Sequence, residues 1–333
     1  DGIRDRSPSR GLGDVYKRQV YLGLLEPGDT ILAMDLSHGG HLTHGAPVSH
    51  MGSLFNFVRY VTDPADGSID FDQVRADALE HKPKLLLTGY TSYPRDIDYA
   101  AFKSIADEVG AIAMTDASHF GGLVAGDAMK NPFDFGFDVV TTTTHKSLRG
   151  PRGGMILCRK PFAKNIDKSV FPGLQGGPHM NAVAALAVTL LKAQGEEFRQ
   201  YAQQVLKNAQ ALAKTLLGHQ GHLVTGGTDK HMMVLDTMKT YDLDGRVAEE
   251  TLDKASITTN KQIIPDDPNP PLRPSGLRIG TPAATARGMN EEHMEQLGQW
   301  IHECLSSHDD EDHLAAVCNE VEKFCQQFPV PGI

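Results

Sequence analysis

Thr141-Thr142-Thr143-Thr144-His145-Lys146, with Gly150-Pro151-Arg152-Gly153-Gly154 close behind, is the stretch on which the fold turns. Four consecutive β-branched threonines favour extended backbone, and Asp138-Val139-Val140 before them lengthens the same strand. The glycines then turn the chain into a second apolar run, Met155-Ile156-Leu157-Cys158. Lys146 therefore stands at a strand end among hydroxyls and glycines. Desolvation there, with Arg149 and Arg152 near in sequence, lowers an amine's pKa, and a neutral amine can form a Schiff base. An exposed lysine in a hairpin turn fits the same letters, so other stretches must decide.

Upstream, Phe102, Ile105, Ala106 and Val109 recur at helical spacing and stop at Gly110, between Lys84-Leu85-Leu86-Leu87-Thr88 and Ala111-Ile112-Ala113-Met114-Thr115-Asp116. This predicts a β-α-β unit, hence a parallel sheet with ligand sites at the carboxyl ends of its strands. Asp116 closes one such strand, followed by Ala117-Ser118-His119 and Gly121-Gly122. Taken alone, it reads more readily as a loop cap or a helix N-cap. With a lysine about thirty residues on, it fits pyridoxal phosphate, whose ring nitrogen needs a carboxylate so that the ring can accept electrons. In Ser275-Gly276-Leu277-Arg278-Ile279-Gly280-Thr281-Pro282, an arginine sits inside an apolar strand. Its planar fork suits a carboxylate, either an internal one or that of an amino-acid substrate.

From Glu196, Phe198, Tyr201, Val205, Ala209, Leu212 and Leu216 mark one long helix, where the domain change is placed. Short strands near Met232–Leu235 and Leu277–Gly280, mixed with helices over Met294–Leu305 and Leu314–Phe328, suggest an α+β second domain. Asp266–Pro271 reads as a rigid loop. A net charge of −10 argues against general nucleic-acid binding, and no apolar run is long enough to cross a membrane. Cys158, Cys304, Cys318 and Cys325 lack C-x-x-C spacing and read as buried thiols of a cytoplasmic protein. His38, His41 and His44 lie in a glycine-rich loop without a fourth ligand, so no metal is expected.

Several long motifs in order now carry a resemblance. Leu25-Glu26-Pro27-Gly28-Asp29-Thr30, His38-Gly39-Gly40-His41-Leu42-Thr43-His44-Gly45, the Thr141–Gly154 block, Phe171-Pro172-Gly173 with Gln175-Gly176-Gly177-Pro178, and Thr225-Gly226-Gly227-Thr228-Asp229 resemble serine hydroxymethyltransferases. The likeness runs from about Val20 almost to the end. It implies the α/β architecture of fold type I (aspartate-aminotransferase-like) pyridoxal-phosphate-dependent transferases, with a large, mostly parallel-sheet domain and a smaller α+β C-terminal domain. It further implies that Lys146 carries pyridoxal 5'-phosphate, Asp116 pairs with the ring nitrogen, His119 lies by the phenolic oxygen, and His41 stacks on the ring. Ser118 falls beneath the ring, where alanine is usual, and Thr91 falls where a serine hydroxyl is usual. Thr143 and His145 would assist exchange of the lysine for the substrate amine, and Arg278 would hold the substrate carboxylate. Gln262 stands where a folate-contacting asparagine is common. Gly176 and Gly177 would offer N–H groups to the phosphate of a neighbouring subunit's cofactor, which implies a homodimer.

Asp1–Gln19 differs in composition, with five Lys/Arg and three Asp/Glu in nineteen residues and no helical or strand period. The remaining 314 residues carry 27 basic and 39 acidic side chains. The expected organisation is a non-native leader over 1–19, a cofactor-binding large domain over 20–195 lacking its N-terminal part, and a small domain over 196–333. The reaction implied is reversible transfer of serine's hydroxymethyl carbon to tetrahydrofolate, giving glycine in one-carbon metabolism. A threonine-aldolase-like lyase and a catalytically incomplete cofactor-binding fragment are the alternatives.

Overall fold

The computed structural model describes residues 12–331; Asp1–Gly11 of the expected leader lie outside the described residues. In chain order the first unit contains α1 (Leu12–Leu24), β1 (Thr30–Met34), α2 (Met51–Leu54), β2 (Asn56–Tyr60), α3 (Phe71–His81), β3 (Leu85–Thr88), α4 (Tyr99–Val109), β4 (Ile112–Asp116), α5 (Gly121–Ala125), β5 (Val139–Thr143), β6 (Gly154–Cys158) and α6 (Lys160–Lys168). Next come α7 (Met180–Ala193), α8 (Glu196–Gly218), β7 (Met232–Asp236), α9 (Thr237–Tyr241), α10 (Gly245–Lys254), β8 (Asn260–Gln262), β9 (Gly276–Gly280), α11 (Pro282–Ala286), α12 (Glu291–Ser306) and α13 (Glu311–Cys325).

The larger sheet has the order β2-β1-β3-β4-β5-β6, parallel except for the antiparallel β5–β6 pair. Its central strands β1, β3, β4 and β5 are buried on both faces because helices cover both, whereas the edge strands β2 and β6 are partly exposed. Alternate residues feed opposite cores: Leu32, Met34, Leu86, Ala113 and Val140 pack on one side with Phe102, Phe120, Phe198 and Val205. Ile31, Ala33, Leu85, Leu87, Met114 and Val139 pack on the other with Val20, Tyr21, Leu25 and Ile166. The β-α-β reading around α4 holds: Asp98 caps its start through a hydrogen bond from the Ala101 amide at 3.0 Å, and Gly110 ends it in the left-handed region. Such a cap is worth about 1 kcal/mol.

Helix α1 departs from expectation. Residues 12–19 show no helical period in the sequence, yet they open a helix whose later turns bury Val20 and Tyr21 against the sheet. The composition of the segment conceals the run, because its buried positions include Lys17 and Gln19 beside the aromatic Tyr16.

The second unit gathers β7, β9 and β8, all antiparallel, under α10, α12 and α13. Helix α8 belongs to both cores: Phe198, Tyr201, Ala202 and Val205 join the first, whereas Ala209, Leu212, Ala213 and Leu216 join the second. Of the four cysteines, all free, Cys304 is buried, while Cys158, Cys318 and Cys325 are only half-buried, being at the margins of their packed faces. Among the described residues, no helix is long and apolar enough to cross a membrane.

Candidate active site

In the larger sheet, β2 and β3 flank β1 on opposite sides, which opens a crevice at the carboxyl ends of the central strands. The loop after β1 brings His41 and His44, the loop after β3 brings Thr91, the end of β4 brings Asp116, Ser118 and His119, and the end of β5 brings Thr143, His145 and Lys146. Gly89 lets the loops lie this close. Its φ is 93°, and a Cβ there would fall 2.2 Å from the Asp116 carbonyl oxygen.

Asp116 is 4 % exposed and is the electrostatic centre. Burial by itself pushes its carboxyl up, but the Lys17 charge and the His44 hydrogen bond outweigh this and hold it well below the usual carboxylate range. Lys17 Nζ donates to Oδ2 at 2.8 Å, His44 Nε2 lies 3.2 Å from the same oxygen, and the Ser118 hydroxyl donates to Oδ1. Burial, followed by the Lys17 charge, lowers the His41 pKa to about 2, so this imidazole is neutral.

Lys146 Nζ meets His119 Nε2 at 3.0 Å. Arg149, expected beside that amine, instead lays its guanidinium over Tyr201 at 3.9 Å and Phe198 at 5.3 Å, because the turn after Lys146 points it at α8. Burial, then the charges of Lys146 and Arg278, hold His119 well below the ordinary histidine value, and its ring stacks on His231 at 6.2 Å. Thr143 Oγ1 donates to the Ser118 carbonyl at 2.8 Å, tying β5 to the loop after β4. His145 Nδ1 accepts from the Gly153 amide at 3.4 Å.

Arg278, from β9 of the second unit, reaches across to the Thr91 carbonyl at 3.3 Å and bonds Asn260 Oδ1 at 3.1 Å. Only burial moves its pKa, downwards, and among the described residues it has no carboxylate partner. It lines a cavity of about 260 Å³ with His119, His231 and Asn260. Gln262 turns its amide back to the Ile263 carbonyl at 3.0 Å. Gly176 and Gly177 are exposed, with open space where a Cβ would stand. His38 turns to Thr62 Oγ1 at 2.9 Å while His44 turns to Asp116, so the three loop histidines do not converge.

Tyr16, whose hydroxyl meets Ser118 Oγ, and Lys17, His44 and His231 also face the crevice without having been expected there from the sequence. His44 carried a signal, its three-residue spacing from His41. Lys17 lay in a segment set aside on composition.

An amine at the end of β5, a carboxylate at the end of β4 and an acid-free guanidinium above them define the class: a fold type I pyridoxal-phosphate-dependent transferase. The family model for serine hydroxymethyltransferase matches residues 11–301, and the chain belongs to that family. Its enzymes use pyridoxal phosphate, with tetrahydrofolate as cosubstrate. The crevice fits this cofactor in its donor set: Lys146 offers the amine, buried anionic Asp116 suits a protonated ring nitrogen, and His41 and His119 are held neutral.

Proposed function

We propose that the chain converts serine and tetrahydrofolate reversibly to glycine and 5,10-methylenetetrahydrofolate. The observation that supports this reading best is Arg278, half-buried and, among the described residues, without an acid partner, whose charge acts together with that of Lys146 on His119. A receptor for a carboxylate thus stands near an amine able to hold a carbonyl cofactor, as an amino-acid substrate requires.

Lys146 would hold the cofactor covalently, Asp116 its ring nitrogen, and His41, Ser118 and His119 its faces and phenolic oxygen. When bound, pyridoxal phosphate supplies an electron sink for the carbanion left as serine loses its hydroxymethyl group. Asp116, a buried carboxylate held anionic, would pair with the ring nitrogen and favour its protonated form. Arg278 fixes the carboxylate and so orients the bond to be broken. Thr91, through its carbonyl, holds the guanidinium in place. His119, neutral, accepts a hydrogen bond from Nζ and positions the amine. Thr143 and His145 lie where the amine is exchanged, and Gln262 belongs to the folate side.

The protein would work as a homodimer. Helix α7 leaves Met180, Val183, Val188 and Leu191 exposed at 66 %, 47 %, 53 % and 70 %, an apolar face that suits a second copy of the chain. Gly176 and Gly177 lie just before it and would offer N–H groups to the phosphate of a partner's cofactor. Free thiols at all four cysteines accord with a cytoplasmic setting.

The test is turnover of labelled serine with and without tetrahydrofolate, with Lys146→Ala as the control. Folate-dependent glycine formation, lost in the variant, is expected. Serine cleavage at an equal rate without folate would assign a lyase instead.

A further inference from the structure

One buried group of the crevice has no task in the roles above. His231 stands immediately before β7, 8 % exposed, and its carbonyl accepts from the Thr281 amide at 3.0 Å, which pins it to the chain leaving β9. Its ring lies over His119 and lines the cavity of Arg278, Thr259 and Asn260, yet Nδ1 is buried with no hydrogen-bond partner among the described residues. Buried polar atoms are nearly always paired, so an unpaired one on the wall of a ligand cavity calls for a partner from outside the chain.

Arg278 indicates what that partner is. Its Nε is taken by Asn260 Oδ1 and its Nη1 by the Thr91 carbonyl, so Nη2 is the one nitrogen of the guanidinium without a partner among the described residues. A carboxylate offers about four acceptor sites on two oxygens, more than this remainder can fill. Other polar atoms of the cavity are already engaged: His119 Nε2 meets Lys146, and Asn260 Nδ2 donates to the Lys261 carbonyl at 3.0 Å. His231 remains, with the Thr259 hydroxyl, which is also unpaired among the described residues. Burial, then the charges of Lys230, Arg278 and Lys146, lower the His231 pKa to about 3, so the ring is neutral, with one N–H to give, and it feels both the carboxylate receptor and the amine.

We propose that His231 is the second arm of the carboxylate clamp: its ring N–H donates to the substrate α-carboxylate that Arg278 holds, at an oxygen site the guanidinium leaves open. This rests on the assignment of Arg278 to the substrate carboxylate. A neutral donor suits the task, since it adds a hydrogen bond without a second positive charge. The cavity stays matched to a single carboxylate, and the Lys146 amine gains no further cation beside it.

With pyridoxal phosphate present, the full chain, His231→Phe, His231→Gln and Thr259→Val are titrated with glycine, with serine and with 2-aminoethanol, which is serine without its carboxylate. Binding is read from the change in the cofactor's visible absorbance, with Arg278→Lys as the control. His231→Phe keeps a ring over His119 and removes the N–H. It should bind glycine and serine more weakly by the same factor, about tenfold or more, with 2-aminoethanol binding and the unliganded cofactor band unchanged. His231→Gln, which keeps an N–H, should recover part of the loss, and Thr259→Val should bind as wild type does. Wild-type glycine affinity in His231→Phe, while Arg278→Lys weakens it, overturns the second arm and leaves the substrate reading standing. A loss for serine alone places His231 at the hydroxyl, and an equal loss for 2-aminoethanol or a lost cofactor band makes its role structural; either overturns the clamp. So does a glutamine variant no better than the phenylalanine one, or a loss confined to Thr259→Val. Glycine binding untouched by Arg278→Lys, or no absorbance change in the wild-type chain, overturns the substrate reading and the clamp with it.

Discussion

Replacing Lys230 by methionine should stabilise the protein, most strongly near neutral pH. Lys230 is 2 % exposed in a box of rings, its Nζ 5.2 Å from the centroid of Tyr90, 5.6 Å from Tyr93 and 5.1 Å from Phe120. Burial, opposed only partly by the charges of Asp96 and Asp229, lowers its pKa from 10.5 to about 7. A lysine whose pKa is lower in the fold than in the unfolded chain stabilises nothing by its charge; the fold loses stability as pH falls from about 10.5 to about 7, and the loss is then complete. The gap corresponds to a ceiling of about 5 kcal/mol, and linkage puts the cost at about 4 kcal/mol at about pH 7.5 and about 1 kcal/mol at about pH 9.5. Attraction of the cation to the rings offsets about 1 kcal/mol of this. Methionine keeps the length of the stem and packs well on aromatic rings. Urea denaturation followed by Trp300 fluorescence should therefore show Lys230→Met more stable than wild type by about 3 kcal/mol at about pH 7.5, with the difference falling below about 1 kcal/mol at about pH 9.5. A variant less stable than wild type, or a difference that does not change with pH, refutes the reasoning, because Lys230 would then be held as a satisfied cation.

Other outcomes follow from the site. Asp116→Asn leaves the buried Lys17 ammonium without its counter-charge, so the variant should lose about 3 kcal/mol or more of unfolding free energy and should show no visible cofactor band, as thermal denaturation and absorbance would reveal. Arg278→Lys cannot form two parallel hydrogen bonds, so KM for serine should rise about tenfold or more while the cofactor band is unchanged; an unaltered KM would remove Arg278 from the substrate site. Leu191→Asp places a charge on the exposed face of α7 and should shift the homodimer proposed above to monomer in sedimentation velocity without loss of helical dichroism; a wild-type chain that sediments as a monomer would overturn that proposal.

The central sheet was legible because its strands announce themselves as apolar runs: Leu85–Thr88, Ile112–Asp116 and Val139–Thr143 each emerged within a residue or two of the expected bounds. Strand β2, Asn56–Tyr60, was not, since as an edge strand with Asn56 and Arg59 exposed it has no apolar signature. Asp116, Lys146 and Arg278 were readable from their places at strand ends or inside a strand, where charge is costly unless used. Arg149 was misplaced because nearness in sequence says nothing of direction after a turn; its φ of 60° sends the side chain to α8. Lys17 escaped notice for a different reason. Composition measures a segment's average, whereas a contact with Asp116 depends on one side chain and on a partner 99 residues away.

Because α8 runs unbroken through both cores, the protein has no clean place to be divided. A cut before Glu196, at the loop between α7 and α8, hands Phe198, Tyr201, Ala202 and Val205 to the wrong piece and strips one wall from the sheet's core. A cut within the helix, between Val205 and Ala209, respects both cores but leaves Asn208 beside a severed backbone, and Asn208 Nδ2 donates to Thr285 Oγ1 at 2.8 Å and to the Met289 carbonyl at 2.9 Å. Separate expression of the two halves is therefore a poor route to either, and recombination between relatives should tolerate crossovers outside α8 better than within it.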